Sequence, residues 1–154
     1  MNKTITHIRD LDLIEKELNS AKAGTFAFFA DEKICQTAAA YVYMNKNIYI
    51  FLNENEEIHF NIKLSSETSF TVLKYEKKKS SRRVDSIPFY SIFSVSLKGT
   101  AKNVTDQKLI DEVTGFYMQK YGINPEPQAS EIPPAVKIIL IDTQEIQAFE
   151  EIGG

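Results

Sequence analysis

The fold is decided by two apolar runs on either side of a short polar turn, Gln36-Thr37-Ala38-Ala39-Ala40-Tyr41-Val42-Tyr43-Met44-Asn45-Lys46-Asn47-Ile48-Tyr49-Ile50-Phe51-Leu52-Asn53. Both runs contain the β-branched and aromatic residues that favour strands. The turn Asn45-Lys46-Asn47 is too short for the crossover that parallel neighbours require. The stretch therefore predicts two antiparallel strands joined as a hairpin.

The segments around this hairpin extend the antiparallel pattern. Residues 25–30 form an aromatic run, and the polar turn Asp31-Glu32-Lys33 separates it from the strand that starts at Ile34. Further strands are predicted at residues 69–74, 89–104 and 136–141, and residues 146–149 either continue the last strand or add one more. Strands connected in meanders close economically as a barrel, because closure leaves no exposed edge.

Helices are expected between the strands, in the order αβββαββαβ. The first has the spacing of a capping box, with Asp12 followed by Glu15. A short second helix is expected over residues 56–64, and a third begins near Asp106 and ends at Gly122. The predicted fold class is therefore mainly β (β plus α), a six- or seven-stranded antiparallel β-barrel with peripheral helices.

Length and composition indicate one globular domain. A chain of 154 residues can bury one core, and its hydrophobic fraction of 43% is ordinary for such a domain. We expect a single barrel domain over residues 1–154. Its parts are an N-terminal segment and helix at 1–24, a basic loop at 76–88 and a proline-rich loop at 123–134.

Charge and cysteine content exclude several classes of function. A net charge of −3 gives no global attraction to nucleic acid or to anionic membranes, so neither is expected as a partner. The single cysteine, Cys35, excludes an intrachain disulfide and a cysteine-cluster metal site. No apolar segment has the length of a signal peptide or a membrane span, and the expected location is the cytoplasm.

Four stretches stand out, namely residues 36–53, 62–72, 95–106 with Gly99-Thr100-Ala101, and 135–141. They resemble the pyridoxamine 5′-phosphate oxidase-like FMN-binding split β-barrel superfamily, over about residues 11–149. The resemblance implies that the predicted barrel is a six- or seven-stranded antiparallel split β-barrel forming a single split-barrel domain. It implies a small flavin-dependent oxidoreductase, working as a homodimer with flavin mononucleotide (FMN) between the subunits. In such a protein the cofactor carries the redox chemistry, so the resemblance implies no catalytic side chain and no metal.

The resemblance also assigns a cofactor site to the second and third predicted strands. The residues expected to face the isoalloxazine are Gln36, Thr37, Ala38 and Ala39. The same pocket is expected to be lined by Phe51, Leu52 and Asn53.

The expected phosphate anchor is missing from the sequence. Family members commonly carry a basic pair after the third strand, where this chain has Glu57 and Ile58, preceded by Glu56. A carboxylate about 5 Å from a phosphate charge costs roughly 3 kcal/mol at an effective dielectric constant of about 20. The sequence therefore departs from the family at the position that should hold the phosphate.

Two replacements for this anchor are open. His59 and Lys63 lie one turn apart on the predicted short helix and are expected to face the phosphate together. Alternatively, the basic loop from Lys77 to Arg83 folds over the pocket.

Two other functions keep the same fold. One is a haem-binding or haem-degrading split barrel, for which His59 would be the residue of interest. The other is a non-enzymatic relative that has lost flavin binding, consistent with Glu56 and Glu57 at the phosphate position.

Overall fold

The computed structural model describes residues 2–53, 61–78, 89–123 and 136–153. These residues form seven strands and two helices. In chain order the elements are β1 (Lys3–Ile8), α1 (Leu11–Ser20), β2 (Gly24–Ala30), β3 (Lys33–Met44), β4 (Asn47–Asn53), β5 (Glu67–Lys78), β6 (Phe89–Asn103), α2 (Gln107–Tyr121) and β7 (Val136–Gly153). Every strand pair is antiparallel, which confirms the predicted fold class.

Six of the strands close into a barrel in the order β2-β3-β4-β7-β6-β5. The ring closes because β2 pairs with β5 as well as β3, and β7 pairs with both β4 and β6. Strand β1 lies outside this ring and pairs with the second half of β7, from Ile8↔Ala148 to Lys3↔Gly153.

Two tight turns set the register of the β2–β3–β4 meander. Their central residues have left-handed φ angles of 50° and 62° at Asp31 and Glu32, and of 52° and 62° at Asn45 and Lys46. Two consecutive left-handed residues are typical of the hairpin turns whose twist matches that of the flanking strands. Both predicted turns are therefore confirmed, and neither contains glycine.

Strand β3 changes its partner halfway along its length. Its first part pairs with β2, ending at Gly24↔Ala39, and its second part pairs with β4, starting at Ala40↔Phe51. Strand β4 continues beyond Phe51 to Asn53 while paired with β7. The barrel wall is consequently split between β4 and the first part of β3.

Aromatic side chains fill the barrel interior. Phe26, Tyr41 and Phe70 are fully buried, and the rings of Tyr41 and Phe70 lie 4.7 Å apart. Helix α1 covers one end of the barrel: its Leu18 is buried, and the Leu18 carbonyl accepts a hydrogen bond from the Tyr41 hydroxyl at 2.5 Å. Rings of this size supply the largest burial per residue, so they dominate the hydrophobic stabilisation of the barrel.

Helix α2 packs against the outside of the barrel. Its buried Val113 contacts a smaller apolar cluster that includes Val42 of β3, Tyr49 of β4 and Ile138 of β7. The helix ends at Gly122, whose φ of 65° is left-handed, as the sequence predicted.

The start of α1 differs from the sequence prediction. The N-cap is Asp10, whose carboxylate accepts hydrogen bonds from the backbone N–H groups of Asp12 and Leu13 at 3.0 and 3.4 Å. The capping box of Asp12 with Glu15 is therefore wrong, because the helix begins two residues earlier and Asp10 satisfies free N–H groups of its first turn. Strand β1 was not predicted, since its side chains are almost all exposed and only its pairing with β7 defines it.

The short helix expected over residues 56–64 is wrong in its described part, residues 61–64. Ile62 forms a bridge with Ala30 of β2 instead, and the backbone N–H of Lys63 donates to the carbonyl of Phe29 at 2.8 Å. Lys63 therefore lies beside β2 rather than on a helix. Residues 54–60, most of the basic loop and most of the proline-rich loop lie outside the described residues.

Replacement of Gly99 by alanine should destabilise the barrel. A bulge in the β6–β7 ladder lies at Gly99, and a Cβ there would overlap the backbone carbonyl of Asp142. Forcing an extra carbon into packed backbone costs about 1–3 kcal/mol. We expect urea unfolding of the Gly99→Ala variant to show a loss of that size in the free energy of unfolding.

Gly115→Ala is the matched control for this substitution. A Cβ at Gly115, within α2, meets nothing within 4 Å, so alanine should stabilise the helix by up to about 1 kcal/mol. Equal stability of the Gly99→Ala variant and the wild type would contradict the close approach of β6 to β7.

Candidate functional site

The split in the barrel wall leaves one edge of β3 open. Backbone groups of successive strand residues point alternately to the two sides. The N–H and C=O of Tyr41 are bonded to Tyr121 and Lys120, on the side away from β4. Alternation therefore places the backbone groups of Gln36 and Ala38 on the side of β4. In the described part of the chain no strand pairs with them there.

The side chains along this open edge differ in exposure. Gln36 and Ala38 are exposed on the outer face, whereas Thr37 is half-buried and Ala39 is part of the barrel core. The Thr37 hydroxyl donates to the Ala38 carbonyl at 3.3 Å. A ligand at this edge would therefore contact Gln36 and Ala38 by side chain, and the small methyl group of Ala38 leaves room for a flat group.

The end of β4 is the other wall of the opening. The ladder between β3 and β4 stops at Ala40↔Phe51, so Leu52 and Asn53 follow directly at the split. The Phe51 ring is half-buried and stacks on Tyr117 of α2, with centroids 4.1 Å apart. Leu52 is buried in the core, and Asn53 is exposed. Residues 36–39 and 51–53 thus lie on the two sides of the split, and their role as a cofactor pocket stays a prediction.

Lys63, one of the two predicted phosphate contacts, does not lie at this opening. Lys63 is exposed and lies on the side of β2 opposite to β3, two strands from the open edge. Neighbouring strands are about 4.8 Å apart, which separates Lys63 from that edge by about 10 Å of backbone. His59, Glu56, Glu57 and Ile58 lie outside the described residues.

Lys137, which was not predicted as a site residue, lies beyond β4. Lys137 of β7 pairs with Leu52 and is half-buried. The signal for it was a single lysine inside the apolar run of residues 136–141. The ammonium group of Lys137 is therefore a positive charge one strand beyond the split, on the β4 side.

Three further features of the described residues concern metal binding, membrane-spanning helices and His7. Among them no group of three or more His, Cys, Asp or Glu residues is arranged to hold a metal ion. Neither described helix combines the length and the apolar content needed to cross a membrane. His7 stacks on Phe149 with ring centroids 5.0 Å apart.

Polar side chains also cluster on the side of β3 that faces away from β4, and the sequence did not predict this cluster. The ammonium group of Lys120 donates to the Tyr41 carbonyl at 3.0 Å and lies 3.7 Å from the centroid of the Tyr41 ring. The Tyr121 hydroxyl donates to the Lys22 carbonyl at 2.7 Å and accepts from the Tyr41 N–H at 3.1 Å. Burial, together with the charge of Lys22, lowers the pKa of Lys120 to about 8. Burial likewise raises the pKa of Tyr41 far above its ordinary value.

Comparison with known proteins rests on structure alone. No protein-family model matches the sequence, and the comparison with curated proteins finds no match. Among solved structures, a candidate 5-nitroimidazole antibiotic resistance protein from Bacteroides thetaiotaomicron VPI-5482 has a TM-score of 0.73 at 13% identity, over 100% of this chain and 93% of that chain. The chain has the split-barrel fold.

Two further structures agree with this assignment. The FAD binding protein from Mycobacterium smegmatis has a TM-score of 0.67 at 13% identity, over 97% of this chain and 100% of that chain. A candidate pyridoxamine 5′-phosphate oxidase from Corynebacterium glutamicum has a TM-score of 0.61 at 15% identity, over 96% and 98% of the two chains. The neighbours of this split barrel are thus flavin-binding and pyridoxamine 5′-phosphate oxidase-like proteins.

The lowered pKa of Lys120 predicts that stability rises between pH 8 and 10. The folded pKa of about 8 lies below the ordinary value of 10.5, so the unfolded chain binds more protons in this range. Because Lys120 is partly exposed, we expect a gain of roughly 1 kcal/mol after solvent screening. Denaturant unfolding at pH 7 and pH 9.5 measures it.

Lys120→Met is the reference for this measurement, because it removes the titrating group and keeps the chain length. The wild type should gain stability relative to this variant as the pH rises from 7 to 9.5. This gain in stability ends near pH 10, where tyrosines of the unfolded chain begin to ionise. In the folded protein Tyr43 stays protonated at that pH, because burial beside Glu15 raises its pKa to about 12. A constant difference between the two proteins would contradict the burial of Lys120.

Proposed function

We propose that this split barrel binds a flavin, FMN in the first instance, at the opening between β3 and β4 and acts as a small oxidoreductase. The observation that carries the proposal is the open edge of β3 at Gln36 and Ala38, whose backbone groups pair with no strand of the described residues on the β4 side. Backbone N–H and C=O groups require partners, and the polar edge of an isoalloxazine offers both donors and acceptors.

The residues at the opening fit such a ligand. The exposed Ala38 presents a methyl group to the outer face, and the amide of Gln36 offers a donor and an acceptor beside it. When bound, the flavin supplies the electron-transfer chemistry, while the chain binds and orients it. The fold shared with the FAD binding protein from Mycobacterium smegmatis supports a flavin as the class of cofactor.

We place the flavin phosphate on the β4 side of the opening. Lys137 is half-buried beside Leu52 and offers a cation there, whereas Lys63 lies on the opposite side of β2. An ammonium is a good point-charge partner for a phosphate. Lys137 thus supplies a positive charge for the phosphate, which Glu56 and Glu57, being negatively charged, do not.

The proposal includes a homodimer that covers the outer face of the barrel beside the opening. Three large apolar side chains are strongly exposed on strands β3 and β5: Ile34 at 74%, Leu73 at 66% and Tyr75 at 60%. Ile34 lies two residues from Gln36 on the same face of β3. Of the three, Ile34 is the one that lies along the opening, and a second copy of the chain seated there would cover it.

The test is the absorption spectrum of the protein after incubation with FMN or FAD and desalting. We expect a retained two-band flavin spectrum for the wild type. The Ala38→Glu variant should lose it, because the longer acidic side chain occupies the open edge where we place the isoalloxazine.

Ala23→Glu is the matched control, since it makes the same change at an exposed alanine outside the opening. Loss of flavin from the Ala23→Glu variant, or retention by the Ala38→Glu variant, would contradict the placement of the site. A colourless wild type that binds flavin only as the Glu56→Arg/Glu57→Lys variant would identify a relative that has lost its cofactor. Retention of haem instead of flavin would support the haem-binding alternative.

A further inference from the structure

A second cavity lies on the other side of β3, between the C-terminal ends of α1 and α2. Its volume is about 400 Å³. Lys22, Lys120 and the amides of Asn19 and Gln119 line it, together with the apolar surface of Val42 and Phe116. None of these residues lies at the open edge of β3, so the cavity is separate from the proposed flavin site.

The two lysines leave positive charge at this cavity without a carboxylate partner. The Lys22 ammonium donates to the Lys120 carbonyl at 2.7 Å, and the Lys120 ammonium donates to the Tyr41 carbonyl at 3.0 Å. Within the described ranges neither forms an ion pair with a carboxylate. Each ammonium has three N–H donors, so donors remain on both for a ligand.

The helix end explains part of this arrangement. The C-terminus of α2 carries partial negative charge, which favours a cation in the last turn. That charge is about half an elementary charge, whereas two ammonium groups converge there. Mutual repulsion with Lys22 contributes to the lowered pKa of Lys120, so the pair is incompletely neutralised by the helix.

Two carboxylates of α1 lie near this region but are engaged elsewhere. Tyr43 lines the cavity and is 9% exposed, and its hydroxyl lies beside Glu15. Burial, together with this carboxylate, raises the pKa of Tyr43 to about 12. Glu17 pairs with Lys74 at 3.8 Å and lines a different cavity with it.

We propose that this cavity binds a small organic phosphate, with the phosphate held by Lys22 and Lys120 and its apolar part lying against Val42 and Phe116. Lysine ammonium groups bind phosphate as point charges, and the side-chain amides add directional donors. The mixture of cations and apolar surface favours a phosphate monoester over the bare ion.

The test is titration of the full chain, without flavin, by phenyl phosphate and by inorganic phosphate, followed by calorimetry. We expect saturable binding of phenyl phosphate at one site, tighter than that of inorganic phosphate. Lys22→Gln and Lys120→Gln should each weaken it by roughly tenfold or more, the usual effect of losing a hydrogen bond to a charged group. Lys108→Gln, at an exposed lysine in the first turn of α2, is the charge-matched control and should leave binding unchanged.

A second measurement keeps the test independent of variant folding. Bound phosphate stabilises the protonated amine, so saturating phenyl phosphate should raise the pKa of Lys120 in the wild type, followed by NMR of the lysine side chain. Equal weakening by Lys108→Gln, equal affinity for the two phosphates, or an unmoved Lys120 resonance would each overturn the proposal. Flavin retention tests the other opening, so the two proposals fail separately.

Discussion

The exchange of partners by β3 between Ala39 and Ala40 is the constraint on which the rest of the structure depends. One continuous strand serves two ladders, so each half of it has one edge that the barrel does not use. The second half has its free edge covered by Tyr121 and Lys120 of α2. The first half has no strand partner toward β4 in the part of the chain that the structure describes. Both candidate binding regions therefore arise from the same change of partner.

The strands were predictable because local signals and tertiary pairing agree in them. The runs around Asn45-Lys46 combine β-forming residues with a turn that only an antiparallel hairpin accepts. Strand β1 carries no such signal: its side chains are exposed, and it exists through its ladder with β7. The N-cap of α1 was misplaced because Asp10 and Asp12 are both plausible caps in sequence, and only the backbone geometry selects Asp10.

The candidate site was predictable only where it follows the strands. Residues 36–39 and 51–53 lie on the two sides of the split because the β3–β4 ladder ends at Ala40↔Phe51. Lys63 was assigned by helical spacing, and its actual neighbours, Phe29 and Ala30, are more than thirty positions earlier in the chain. The cluster of Lys22, Tyr41 and Lys120 joins residues about eighty to a hundred positions apart, for which no periodicity gives a signal.

The tight turns of the meander have a consequence for protein engineering. Asp31, Glu32, Asn45 and Lys46 all occupy left-handed backbone conformations that side chains other than glycine adopt at a cost of about 1 kcal/mol each. Asparagine tolerates this conformation better than glutamate or lysine. Thermostable versions of the protein are therefore best sought at Glu32 and Lys46, where glycine would relieve the backbone without altering the core or either binding region.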